Sequence, residues 1–133
     1  PLRSHEDLNQ AYKGAKILHD AGVLYCLDYS GDMERMGSRN LPFTAGSSVS
    51  CGLSKEEALM SISLSTAKIL GIDSRLGSLE EGKDATLIVS EGDALDALTN
   101  NISLAFIQGK KLDLRSSQTS LYEKYKARHK SFY

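Results

Sequence analysis

Apolar residues recur at helical spacing through Leu8, Ala11, Tyr12, Ala15 and Leu18, and this single stripe predicts a helix over residues 6–21. Ser4-His5-Glu6-Asp7 reads as a capping box in front of it, serine at the cap and an acid three residues on. Gly22 is a natural stop, because glycine takes the left-handed conformation at little cost. The pattern then changes period. Val23-Leu24-Tyr25-Cys26-Leu27 is an unbroken apolar run, as expected of a parallel strand buried on both faces, so residues 23–27 are predicted as a strand. Helix, glycine and buried strand make one αβ step of a barrel or an open sheet. Leu41-Pro42-Phe43 re-enters the core, and the small residues at 44–51 suit a short helix lying close on its neighbour. A second capping box, Ser54-Lys55-Glu56-Glu57, opens a helix with Ala58, Leu59 and Ile62 inward, and a shorter helical segment, 65–70, ends at Gly71, so that 55–70 is expected to be mostly helical.

Beyond Gly71 the chain is cut into shorter pieces. Leu76 with Leu79, and then Ala85-Thr86-Leu87-Ile88-Val89, predict strands at 76–79 and 85–89, separated by Gly82 and a cluster of charges. Gly77-x-x-x-x-Gly82-Lys83 has the glycine and lysine spacing of a phosphate-binding loop. Asp84, however, stands where that loop needs a serine or threonine for magnesium, and its carboxylate would repel phosphate. The β-branched run that follows favours a strand over the required helix. A glycine-punctuated turn between strands accounts for the same letters. Glu91-Gly92-Asp93 interrupts the next strand, 94–98 reads as a turn or a single helical turn, and 103–107 with 111–114 reads as a hairpin around Gln108-Gly109-Lys110. Asn101-Ile102-Ser103 matches a glycosylation sequon and is read as a chance match. Residues 120–132 read as a basic helix with Leu121, Tyr122, Tyr125 and Phe132 as packing residues and its lysines as a solvated face.

At 133 residues the chain is long enough for one ordinary domain. Its 16 basic and 17 acidic side chains nearly cancel, which removes the electrostatic case for nucleic acid or an anionic membrane as partner. No apolar run approaches the ~20 residues that a helix needs to cross a bilayer. Cys26 and Cys51 lie among apolar or small residues and read as buried free thiols, not as a disulfide framework. The chain starts at Pro1 without a charged-then-apolar signal region and is expected to be part of a longer product. The reading leans to the cytoplasm, with any targeting segment placed upstream.

The polar stretch 28–40 follows the first predicted strand directly and is too long for a plain connector. In parallel α/β folds ligands bind at the carboxyl ends of strands, where loops vary while the sheet stays fixed. Arg35, Arg39 and Asn40 are candidates to hold a carboxylate or a polar substrate group, arginine offering a planar fork of donors. The other reading is that they only tie the loop down through backbone carbonyls.

Residues 71–89, GIDSRLGSLEEGKDATLIV, resemble the C-terminal signature of the amidohydrolase superfamily, the metal-dependent hydrolases of the imidazolonepropionase and dihydroorotase kind. Gly52-Leu53-Ser54-Lys55-Glu56-Glu57-Ala58-Leu59 and Ser65-Thr66-Ala67-Lys68-Ile69-Leu70 ahead of them are similar too, as is Ala105-Phe106-Ile107-Gln108-Gly109-Lys110-Lys111 behind. The resemblance runs from Gly22 to Leu114 and is specific over 52–89. It implies an incomplete α/β fold. Residues 1–71 would be the last αβ unit and closing helices of a TIM-like (β/α)8 barrel, 72–114 the strands of a small composite β-sandwich, and 115–133 a helical tail.

The same resemblance implies a chemistry: hydrolysis of C–N, amide or cyclic amide bonds of a small-molecule substrate by a metal-activated water. In the family an aspartate at the end of the last barrel strand contacts the metal site and takes a proton from the attacking water. Asp28, nearer the strand end, and Asp32, beside Gly31, are the two candidates, the one so assigned being also the only metal contact implied here; solvated turn acids are the bland reading of both. The family's ligands are a His-x-His pair, a modified lysine or a glutamate, and two further histidines. His5, His19 and His129 stand at helix ends or in the basic tail, with no two at ligand spacing. The expected cofactor, a divalent metal with zinc first, therefore belongs to the full-length parent, and this chain alone is expected to hold none and to be inactive. A homo-oligomer, or the missing N-terminal part, is the expected partner, because a lone strand cannot be covered by this chain. The competing reading is a non-catalytic binding or assembly module that kept the fold fragment.

Overall fold

Helix α2, Leu41–Ser50, packs against the helix before it, the 3-10 helix that leads into it and the helix after it. The computed structural model describes residues 9–29 and 34–129. Pro42 sits in the first turn of α2, where a missing N–H costs nothing. On the inner face Ala45 and Ser48 are buried, and Ala45 joins Ala15, Leu53, Ala58 and Leu95 in the core. Small side chains let backbones approach. A Cβ placed on Gly46 would stand 2.1 Å from the Leu95 carbonyl oxygen, so the turn after the first strand of the sheet lies directly on α2.

Helix α1, Gln10–Asp20, precedes it and is closed by Gly22 at φ 68°. The capping box at 4–7 and Leu8 lie outside the described residues. Ala15 reaches the core, while Leu18 stays exposed. Helix α3, Lys55–Ser61, starts at the capping box read from the sequence: Glu57 N–H donates to Ser54 Oγ at 3.2 Å and Ser54 N–H donates to Glu57 Oε2 at 2.9 Å. His19 Nε2 at the end of α1 lies 2.6 Å from Glu57 Oε1. The Ser54 bonds, aided by His19 and Lys16, hold the Glu57 carboxyl below its ordinary range.

The two helical pieces expected within 55–70 are α3 and α4, Leu64–Ile69. The break has a local cause. Ser61 Oγ donates to Ala58 O, Ser63 Oγ to Leu59 O and Thr66 Oγ1 to Ser61 O, at 2.7, 2.7 and 3.1 Å. Hydroxyls that occupy helix carbonyls compete with the i→i−4 ladder. Leu27 N–H takes the Ser61 carbonyl as well, at 3.2 Å.

That bond is what remains of the strand predicted at 23–27. The segment carries no sheet pairing among the described residues, and Val23 and Leu24 are 49% and 55% exposed. A parallel strand needs a ladder partner, and the described part of the chain offers none beside it. Cys26 and Cys51 are free and half-buried, less enclosed than the sequence suggests.

The sheet lies entirely in the second half. Strands β1, Leu87–Ser90, β2, Ile102–Ile107, and β3, Lys110–Lys111, pair antiparallel in that order. Leu87 faces Phe106, Ile88 faces Ala105 and Val89 faces Leu104, with a bulge before Ser90. Gln108 and Gly109 at φ 50° and 77° make the two-residue turn between β2 and β3, both central positions being left-handed as a tight hairpin requires. Lys110, placed in the turn by sequence, is the first residue of β3.

The strand predicted at 76–79 is a bend instead. Gly77, at φ 96°, presses on α4: a Cβ there would stand 2.7 Å from the Ala67 methyl. The chain turns against the helix, and Asp84 N–H closes the loop on Arg75 O at 2.9 Å. Helix α5, Ser117–His129, ends the described chain, and Leu121 and Tyr122 are exposed on it, not packed as expected. No helix of the described residues is long and apolar enough to cross a membrane.

Candidate functional site

Leu27 and Tyr29 fix the chain on either side of Asp28. The Leu27 N–H is held by the Ser61 carbonyl at the end of α3. The Tyr29 hydroxyl shares a 2.7 Å hydrogen bond with Thr44 Oγ1 on α2, and its ring lies against Gly37, where a Cβ would come within 3.3 Å. Asp28 itself is exposed. Its carboxylate has no hydrogen-bond or ion-pair partner among the described residues, so it stands open to solvent at the end of an extended segment.

The loop beyond returns through a 3-10 helix, Glu34–Asn40, which runs straight into α2. Asn40 is the residue before α2 and makes no side-chain cap bond there. Its carbonyl accepts from Thr44 Oγ1 at 3.3 Å. Arg39 is exposed beside it. Tyr29 and Thr44 therefore tie the residue after Asp28 to the start of α2, where Arg39 and Asn40 stand, while no contact joins the Asp28 carboxylate to either of them among the described residues. Asp32 lies outside the described residues, as does the side chain of Arg35.

Two other polar clusters are structural. Lys83, the lysine of the phosphate-loop spacing, folds back on its own turn and donates to Ser78 Oγ at 2.5 Å and Glu80 Oε1 at 3.0 Å. The Ser78 hydroxyl, which donates to Glu80 Oε1 at 2.5 Å, and then Lys83 hold the Glu80 carboxyl below its ordinary range. An amine neutralised in this way and followed by a strand is a turn lock, and the nucleotide reading falls. A cleft of 460 Å³ between α2 and the turn after β1 contains Lys55 and Asp93, with Ser47 and Asp96 on its wall. Lys55 Nζ meets Asp93 Oδ2 at 2.5 Å, while Asp93 Oδ1 accepts from Leu95 N–H at 2.9 Å. Asp93 is held below its ordinary range by Lys55 and by that N–H. The pair fastens the turn to α3 and leaves no free charge of its own for a ligand. Neither it nor the Tyr29–Thr44 bond is visible in local patterning, since the partners are 38 and 15 residues apart.

Among the described residues no group of three or more His, Cys, Asp and Glu side chains is placed to hold a metal ion. His19 is engaged with Glu57. These donors do not by themselves fit a metal site.

The model of the amidohydrolase family matches residues 3–112. The chain belongs to this family. Solved structures agree on the fold. An amidohydrolase from Thermotoga maritima MSB8 superposes with a TM-score of 0.55 at 22% identity, covering 80% of this chain and 36% of that one. A candidate prolidase from Bifidobacterium longum gives 0.56 at 25% identity, over 86% of this chain and 30% of that one. A prolidase solved with N-methylphosphonate-L-proline gives 0.59 at 20% identity, over 78% and 26%. The chain thus spans 26–36% of the length of these structures, a small α/β portion of an amidohydrolase fold with a three-stranded sheet. No curated protein matches it significantly.

Proposed function

We propose that this amidohydrolase chain is the carboxyl-terminal part of a hydrolase that cleaves a C–N bond, amide or cyclic amide, of a small-molecule substrate, with Asp28 as the proton acceptor for the attacking water. The observation that supports the reading is the exposed Asp28 carboxylate between the held residues Leu27 and Tyr29, the latter tied through Thr44 to the Asn40 carbonyl. In this reading residues 1–71 close the barrel, 72–114 belong to the composite sandwich and 115–133 form the tail. Asp28 would take the proton, while Arg39 and Asn40, with Arg35, would bind a carboxylate or carbonyl of the substrate. The prolidase among the structural neighbours suggests an N-acyl amino acid as the substrate to try first. A divalent metal, zinc first, would be held by histidines elsewhere in the complete enzyme, which the described residues do not supply. The non-catalytic module has no observation in its favour.

The test is a panel of N-acyl amino acids and cyclic amides offered to the complete enzyme. Turnover that disappears with a chelator and returns with zinc is the expected result. Turnover indifferent to thorough chelation would overturn the metal-hydrolase reading.

The same reading has a consequence for the chain alone. Val23, Leu24, Ile69, Leu70, Ile88 and Val89 are all exposed, which is more apolar surface than a free monomer comfortably presents to water. Covered by the rest of the enzyme or by a second copy, it would be satisfied. The 133-residue chain is therefore expected to sediment as an associated species at micromolar concentration. A clean monomer would contradict this.

A further inference from the structure

We propose that Tyr29 is a positioning residue, which holds the backbone beside Asp28 to the start of α2 through a two-step hydrogen-bond relay by way of Thr44 to the Asn40 carbonyl; this rests on the reading of Asp28 as the base. The relay follows from counting protons. Thr44 Oγ1 donates to the Asn40 carbonyl at 3.3 Å. A threonine hydroxyl has one proton, so toward Tyr29, 2.7 Å away, it can only accept. The direction is then fixed: Tyr29 O–H to Thr44 Oγ1, and Thr44 O–H to Asn40 O.

This relay joins two segments that the fold would otherwise leave independent. On one side is the segment ending in Asp28, whose backbone is held at Val23 by the Leu18 carbonyl and at Leu27 by the Ser61 carbonyl. On the other is the 3-10 helix that delivers Arg39 and Asn40 to the start of α2. Gly37, from the middle of that helix, lies under the Tyr29 ring, so the ring meets the 3-10 helix while the hydroxyl holds Thr44 on α2 just beyond it. Without the hydroxyl the Asp28 peptide can pivot about Leu27. Small displacements of a catalytic group from its reacting atom are costly in rate.

Three variants separate relay from mere packing. Tyr29→Phe keeps the ring over Gly37 and removes the O–H. Thr44→Val removes the middle of the relay, and Thr44→Ser retains it. In the 133-residue chain, backbone hydrogen exchange at residues 37–41 is expected to quicken roughly tenfold in Tyr29→Phe and Thr44→Val, and to match wild type in Thr44→Ser. In the complete enzyme, Tyr29→Phe is expected to lower kcat roughly tenfold at unchanged KM, again with recovery in the serine variant at position 44. Exchange unaffected by Tyr29→Phe, a serine variant behaving like the valine one, or normal kcat despite rapid exchange would each overturn the proposal. Full turnover by Asp28→Asn would instead remove the base assignment, and the exchange result would still decide whether the relay exists.

Discussion

Asp28→Asn in the complete amidohydrolase is expected to lower turnover by roughly 10²–10⁴-fold at full metal occupancy. Asparagine keeps the size of the side chain and its hydrogen-bonding oxygen but cannot accept a proton from water. Asp28 is exposed, so the exchange removes no buried contact and should leave the melting temperature alone. Asp32→Asn, the companion variant, is expected to change the rate much less. Measuring kcat and metal content on both decides the assignment. A wild-type rate in Asp28→Asn with loss in Asp32→Asn would move the role to Asp32, and two wild-type rates would remove it from this segment.

Gly46→Ala is expected to destabilise the chain by about 3 kcal/mol or more, against a stabilisation of up to ~1 kcal/mol for Gly14→Ala. Both glycines are interior to helices, so both gain the same backbone preference on becoming alanine. They differ in surroundings. Nothing lies within 4 Å of a Cβ at Gly14, whereas at Gly46 the Leu95 carbonyl oxygen would be 2.1 Å away. That oxygen belongs to backbone fastened by Asp93 and Lys55, so it cannot swing aside as a side-chain tip would. Urea midpoints of the two variants beside wild type make the comparison. Equal midpoints for Gly46→Ala and Gly14→Ala would refute the close packing of the turn on α2.

How much of this was readable in the letters depends on the range of the interactions. The Ser54–Glu57 capping box, the stop at Gly22 and the tight turn at Gln108-Gly109 are local, and each stands where the pattern put it or within a residue of it. The 23–27 run was legible as extended and apolar but not as unpaired, because pairing depends on residues that the run does not contain. At 76–79 the apolar pair Leu76 and Leu79 between glycine breaks was misleading. The bend there is fixed by Gly77 meeting Ala67 and by Lys83 reaching back to Ser78, contacts that no periodicity encodes. For the site, sequence placed Asp28, Arg39 and Asn40 in one loop, but the bonds from Tyr29 to Thr44 and from Thr44 to the Asn40 carbonyl cannot be read from the loop's own letters. The family was legible because its glycines and charges sit at fixed offsets within one short stretch, 71–89.

The hydroxyl-made break between α3 and α4 bears on how the helical half acquires its structure. It leaves helices of 7 and 6 residues beside an α2 of 10. Isolated helices shorter than about 12–15 residues are marginal in water, since nucleation is not recovered over so few bonds. None of the three can act as a preformed template for the others. They must order together, each supplying the surface that makes its neighbour worth forming, and they must melt together. The Ser61 carbonyl that holds Leu27, and the Thr44 hydroxyl that holds Tyr29, come into existence only with that joint event. Asp28 thus acquires its place together with these three helices.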